Sequence, residues 1–140
     1  MAFAVASSTA PESGGGHVVE LQLLAPGVTL AVPVTADVID AFSGSASSGA
    51  DYTAFGTQVV TFPMGAMDGA TQPATLGVLD DSLLERAEDA DLSINSVSGP
   101  GTSIGTASDR HVTILDDEPE LPQIAVHSTL VTFGLETPLL

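Results

Sequence analysis

At 140 residues the chain has room for one ordinary hydrophobic core but not for two. Its 18 acidic residues are set against two cations, Arg86 and Arg110, with no lysine, and the formal charge of -16 all but excludes nucleic acid, whose phosphates require clustered Lys and Arg, and disfavours an anionic membrane surface. Cysteine is absent, which removes disulfides, zinc–thiolate sites and thiol catalysis without fixing the compartment, and no apolar run approaches the roughly 18 residues of a membrane-spanning helix.

Ser, Thr, Gly and Pro punctuate short segments rich in Val, Leu and Thr that often alternate, an all-β pattern. The first predicted strand covers about 3 to 10 and ends at Pro11-Glu12-Ser13-Gly14-Gly15-Gly16. The second, His17 to Leu24, sets Val19, Leu21 and Leu23 on the inward face. The third, about 30 to 40, aligns Leu30, Val32, Val34, Ala36 and Val38, and Pro33, which has no N–H to donate, suggests an edge position. A polar stretch from 43 to 50 leads to Asp51-Tyr52, and Val59 to Phe62 forms the fourth strand.

The fifth strand, about 73 to 79, runs into Asp80-Asp81-Ser82-Leu83-Leu84-Glu85-Arg86-Ala87-Glu88. Residues 83 to 90 have too few apolar anchors for a stable helix and read as a loop. Asp91 to Val97 is the sixth strand, with Leu92, Ile94 and Val97 as its apolar set; a Gly/Ser loop, 98 to 106, leads to the seventh, about 107 to 115, which closes on Asp116-Asp117-Glu118. Seven short strands predict an antiparallel immunoglobulin-like β-sandwich over residues 1–120. Residues 121–140, with Pro122 and a new alternation through Ile124, Val126 and Val131 to Gly134, read as a linker and the incomplete start of a following β module, or as a frayed tail.

If consecutive strands are antiparallel, the ends of strands one, three, five and seven share one pole. Nine carboxylates then converge there: Glu12, Asp51, Asp80, Asp81, Glu85, Glu88, Asp116, Asp117 and Glu118, against only Asp68 in the turns of the opposite pole. Crowded like charges are relieved by proton uptake or by cations. Calcium accepts six to eight oxygens in flexible geometry, whereas magnesium demands a tighter octahedron and zinc prefers nitrogen or sulfur. No DxDxDG loop is present, so an EF-hand is not the source of the ligands.

The segments "SASSGADYTAF", "GVLDDSLLERAEDADLSI" and "HVTILDDE", with "APESGGG" upstream, resemble the Calx-beta family, β-sandwich modules of sodium/calcium exchangers, an integrin subunit and many bacterial surface proteins. The resemblance covers about residues 3 to 118, with four motifs in the family's order. It implies an immunoglobulin-like sandwich that binds calcium (Ca2+) through Glu12, Asp51, Asp80, Asp81, the backbone carbonyl of Leu83, Glu85, Glu88, Asp116, Asp117 and Glu118, and the expected function is that of a non-catalytic module. Three positions depart from the family pattern: Ser82 replaces an acid, Arg86 places a positive charge inside the loop, and Ala90 stands where an aromatic core residue is usual.

Simpler readings stand beside this one. Each carboxylate taken singly reads as solvated surface, and Tyr52 reads as a buried ring after a turn. Gly101-Thr102-Ser103-Ile104-Gly105 fits the GxSxG pattern by letter, but no strand–turn–helix surrounds it. His17, His111 and His127 have no metal spacing. A carboxylate glycosidase is not expected, since aromatics make up 4% of the chain, Trp is absent and Tyr52 is the only Tyr. The expected partners are calcium ions and neighbouring domains of the parent chain, with a protein or glycan ligand as the adhesive alternative and a metal-independent spacer as the structural one. The expected location is extracellular or at the cell surface. Met1 to Val5 lacks the basic and apolar regions of an export signal, so such a signal is expected outside this sequence.

Overall fold

Alternating aliphatic residues build two facing sheets in the computed structural model, which describes residues 1–120. The proposed linker and second module at 121–140, with His127, lie outside the described residues. Eight strands run in order: β1 (Ala2–Phe3), β2 (Ser7–Pro11), β3 (Gly16–Gln22), β4 (Val34–Asp40), β5 (Gln58–Phe62), β6 (Thr71–Gly77), β7 (Glu88–Ser98) and β8 (Asp109–Leu115). The three-stranded sheet has the order β1-β3-β6 and the five-stranded sheet β2-β8-β7-β4-β5. The only helical element among the described residues is a 3-10 turn, Glu12–Gly14.

The count differs from the expected seven because the first strand divides between the sheets. Ala2 and Phe3 pair antiparallel with β3, whereas Ser7–Pro11 pair parallel with β8, so the sandwich is not wholly antiparallel. Between them the chain crosses over. Ala4 N–H donates to the Glu20 carbonyl at 2.8 Å, His111 N–H to the Ala6 carbonyl at 2.9 Å, and the buried Arg110 guanidinium to the Val5 carbonyl. One hydrogen bond after another therefore passes the chain from one sheet to the other.

A second difference concerns β4, which lies inside its sheet between β7 and β5 rather than at an edge. Pro33 precedes the strand, so its missing N–H interrupts no ladder. Leu30 and Val32 also fall outside β4: Leu30 N–H donates to the Ala66 carbonyl at 2.9 Å and its own carbonyl accepts from Gly65, tying this segment to the 63–67 turn instead.

The core follows the period-two pattern. Val19, Leu21 and Leu23 of the second run are buried, as are Val34, Ala36, Val38, Leu76, Leu92, Val112 and Phe62; complete burial of such a side chain contributes about 1.5–3 kcal/mol. In β7 the spacing of Leu92, Ile94 and Val97 breaks strict alternation, and the pairing explains it. Ile94 faces Val38 but Ser96 faces Asp37, which leaves Asn95 as the extra residue of a bulge and restores Val97 to the inward side opposite Ala36.

At the end of β4 the chain stays close to β7. Ala41 N–H donates to the Asp91 carbonyl and Ala46 N–H to the Asp89 carbonyl, at 2.8 and 2.9 Å. Gly44 passes so near that a Cβ there would lie 1.9 Å from the Asp89 carbonyl oxygen. The Ala90 Cα lies 3.3 Å from the same position, and the Ala90 side chain is buried in the core cluster. No helix among the described residues is long and apolar enough to cross a membrane, which says nothing of a β-barrel.

Candidate metal centre

The acidic residues reach one pole by separate local devices. β2 ends at Pro11, and the 3-10 turn that follows carries Glu12 inward before Gly15, at φ 67°, reverses the chain into β3. Asp51 is held from both sides: its carboxylate accepts from Ser47 N–H at 2.5 Å, and its carbonyl accepts from Leu79 N–H at 2.9 Å. That second bond fastens the Asp51 segment to the root of the 80–87 loop. Asp81 folds its own loop, accepting from Leu83 N–H at 2.6 Å as an Asx-type turn. Glu88 opens β7 and pairs with Ile114 of β8, so it belongs to the strand rather than to the loop.

Two tight groupings result. Carboxylate oxygens of Glu12, Asp116 and Glu118 lie within 4.8 Å of one another, and so do oxygens of Glu12, Asp80 and Asp117. Glu12, 3% exposed, is common to both. Beside them a cleft is walled by Glu12, Asp51, Glu85, Glu88 and Asp116, with Arg86 and Ile114 completing its sides. Of the ten residues expected as ligands, Asp81 lies near enough to raise the proton affinity of Glu12 and Glu85 but belongs to neither grouping. The Leu83 side chain is exposed on the loop and is not part of the cleft wall.

The electrostatics reflect crowding. Burial, followed by the charges of Asp81, Asp116, Glu118 and Glu85, raises the Glu12 carboxyl from 4.5 to about 7. Glu85 is raised by desolvation and then by Asp51, Asp81 and Asp116, and Glu118 by desolvation, by Asp117 and by its hydrogen bond with Asp116. For Glu88 the leading cause is a hydrogen bond with Asp51, followed by burial and the charges of Asp51 and Glu85.

Glu12 Oε2, Asp116 Oδ1 and Glu118 Oε2 are buried with no hydrogen-bond partner. Three carboxylate oxygens in one place without a hydrogen-bond donor are a set that a cation would satisfy. The donor set is carboxylate oxygen, without thiolate or imidazole. It fits a hard divalent cation of calcium's kind and not zinc.

Sequence reasoning passed over Asp40. It is buried, accepts the Tyr52 hydroxyl on Oδ2 at 2.6 Å and accepts Phe42 N–H on Oδ1 at 2.8 Å. The signal was present, because Asp40 continues the inward series Val34, Ala36, Val38. Ser103 of the GxSxG pattern lies in the β7–β8 loop, with no helix after it among the described residues.

No protein-family model matches the chain, and no curated protein matches its sequence. Solved structures do. CBD12 from CALX1.2 superposes with a TM-score of 0.68 at 23% identity, over 83% of this chain. The apo-form Calx CBD1 domain gives 0.68 at 24% identity, over 84% of this chain and 96% of that one. The calcium binding domain CBD12 of CALX1.1 gives 0.67 at 24% identity, over 83% of this chain. The chain spans 43% and 44% of the two CBD12 structures, so each of these extends well beyond the matched region. Residues 1–120 therefore have a Calx-beta-like β-sandwich fold.

Proposed function

We propose that this chain is a calcium-binding β-sandwich module, without catalytic activity, of a larger surface or adhesive protein. Its ions are held at the acidic pole by Glu12, Asp51, Asp80, Asp81, the Leu83 carbonyl, Glu85, Glu88, Asp116, Asp117 and Glu118. The observation that carries the reading is the convergence of three unpartnered, buried carboxylate oxygens, on Glu12, Asp116 and Glu118, from two distant segments of chain. The similar solved structures support it, one of them being a calcium binding domain by name.

Bound calcium would supply positive charge to offset the carboxylates of the cleft. The chain's own residues position the oxygens: β2 and its 3-10 turn bring Glu12 inward, and β8 ends at Leu115, immediately before Asp116 to Glu118. An ion held by Glu12 and these residues would stiffen the end of β8 and so the junction with a neighbouring domain, in keeping with an extracellular setting where calcium is abundant. The competing reading is a metal-independent spacer or interaction repeat, and the specific observation in its favour is Arg86, a cation already in the cleft wall.

Calorimetric titration of the full chain with calcium decides between them. Asp80→Asn combined with Asp81→Asn is expected to abolish tight binding, and Glu12→Gln to weaken both groupings together. A calcium isotherm unchanged by the double substitution would contradict the proposal.

A further inference from the structure

We propose that Phe42 is a docking anchor: its ring seats in an apolar groove at the opposite pole of a second copy of this chain, and copies associate head to tail. The contact needs no bound ion, so it stands or falls apart from the metal-binding reading.

Phe42 combines exposure with strain. Its side chain is 75% exposed, more than any other large apolar side chain among the described residues, and its φ of 54° lies in the left-handed region that a bulky residue adopts only at a cost. The surroundings hold it there. Phe42 N–H donates to Asp40 Oδ1 at 2.8 Å, and the other oxygen of that carboxylate takes the buried Tyr52 hydroxyl. The residues on either side are both tied to Asp91: Ala41 N–H donates to its carbonyl at 2.8 Å and Ser43 Oγ to its Oδ2 at 2.7 Å. The ring lies outside the core cluster. A wet aromatic side chain on a braced turn is a rigid apolar projection, which loses little freedom on docking and is of the kind that anchors interfaces.

The receiving surface lies at the other end of the same strand. β4 begins at Val34, and Val34 with Met1, Leu23, Leu24, Val28 and Leu30 lines a groove of about 260 Å³. Met1, Leu23 and Val34 are buried, while Leu24 and Val28 are half-exposed. An apolar cavity of roughly 150 Å³ takes up benzene, so a phenyl ring has room here. The seven residues of β4 keep ring and groove about 20 Å apart, so the ring cannot enter the groove of its own molecule.

Charge selects the arrangement. No acidic residue lines the groove, and Asp68 nearby already accepts from Ala25 N–H at 2.7 Å. The carboxylates crowd instead at the end of the sandwich that Phe42 flanks. Two copies meeting acidic pole to acidic pole would repel, and two meeting groove to groove would leave both rings in water. Pairing unlike poles avoids both. Such a contact is heterologous, so it propagates from copy to copy instead of closing in a symmetric dimer. The net charge of -16 opposes association at long range, and the contact therefore strengthens as salt screens that charge.

The experiment is sedimentation equilibrium of the full chain in chelator, over a concentration series at low and high salt. It compares wild type, Phe42→Asn, the double substitution Leu24→Gln with Val28→Gln, and the two variants mixed. Wild type is expected to grow in mass with concentration without a fixed endpoint, more at high salt than at low. Each variant alone should associate on the order of tenfold more weakly or worse, whereas the mixture, which retains one intact ring and one intact groove, should form a one-to-one dimer and stop there. Phe42→Asn should also melt no lower than wild type, because Asn accepts a left-handed φ and the ring it removes lies outside the core, which separates docking from a structural role. Wild type that stays monomeric at high salt, or a folded pair of variants that does not dimerise, would overturn the proposal. So would a Phe42→Asn protein that melts lower, or one that still associates, since another segment would then fill the groove. Should the groove variant fail to fold, Phe42→Asn alone decides.

Discussion

The Tyr52 hydroxyl donates to Asp40 Oδ2 at 2.6 Å across the interior, joining the last residue of β4 to the residue that follows Asp51. Both partners are buried. Burial, and then this bond, raise the phenol's proton affinity above its ordinary value. The other Asp40 oxygen accepts from Phe42 N–H, and Phe42 takes a left-handed φ of 54° to make that turn. One carboxylate thus fixes both the start of the 41–50 loop and the segment that presents Asp51.

Removing the hydroxyl strands that carboxylate. Tyr52→Phe is expected to cost about 1–3 kcal/mol, since it leaves Asp40 Oδ2 buried and unpaired. Asp40→Asn, which retains an acceptor for Tyr52, should cost less. Urea denaturation in chelator measures both, and a Tyr52→Phe protein as stable as wild type would show that the bond carries no net stability.

The metal-free protein should grow less stable as pH rises from about 4.5 to about 7. Glu12 holds its proton to about 7 in the fold but ionises near 4.5 when unfolded, so within that window the folded state binds more protons and rising pH favours unfolding. Glu85, Glu88 and Glu118 are raised too and act in the same sense. Glu12→Gln should flatten the slope, and calcium should remove it by neutralising the ionised cleft. Thermal melts in chelator across this range test the point; a midpoint that climbs with pH would contradict it.

Gly44 should be intolerant of any side chain. A Cβ there would meet the Asp89 carbonyl oxygen at 1.9 Å, a backbone atom that cannot move without also disturbing the bond from Asp89 N–H to Ser45 Oγ at 2.9 Å. Gly44→Ala is expected to cost about 1–3 kcal/mol or more. Gly56→Ala, with nothing within 4 Å of the added atom, should stay within about 0.5 kcal/mol of wild type. Equal denaturation midpoints for the two variants would refute the close approach.

The sandwich was legible wherever one face of a strand is buried and the other wet. Val19, Leu21 and Leu23 announced an inward face that the structure buries, and the broken spacing of Leu92, Ile94 and Val97 already held the mark of the bulge at Asn95. The first strand was not legible in the same way. Its Ser7-Ser8-Thr9 core has no alternation, and its change of sheet depends on Glu20, Arg110 and His111, which lie far away in sequence. Pro33 pointed to an edge because local chemistry cannot say whether a strand begins one residue later. At the acidic pole, strand parity gathers the loops without ranking the acids within them. Which oxygens are buried and unpaired depends on the 3-10 turn at Glu12 and on the exit of β8, and Asp40 went unremarked because its partner, Tyr52, lies twelve residues away.

The measurement that tests the account most directly is unfolding of the full chain in saturating calcium, in chelator and in magnesium. Calcium at about a hundredfold over its dissociation constant should add roughly 2.7 kcal/mol per independent site, a rise of several degrees that magnesium does not match and that Asp80→Asn with Asp81→Asn removes. Identical unfolding in calcium and in chelator would contradict the account, leaving a Calx-beta-like sandwich whose acidic pole holds no ion.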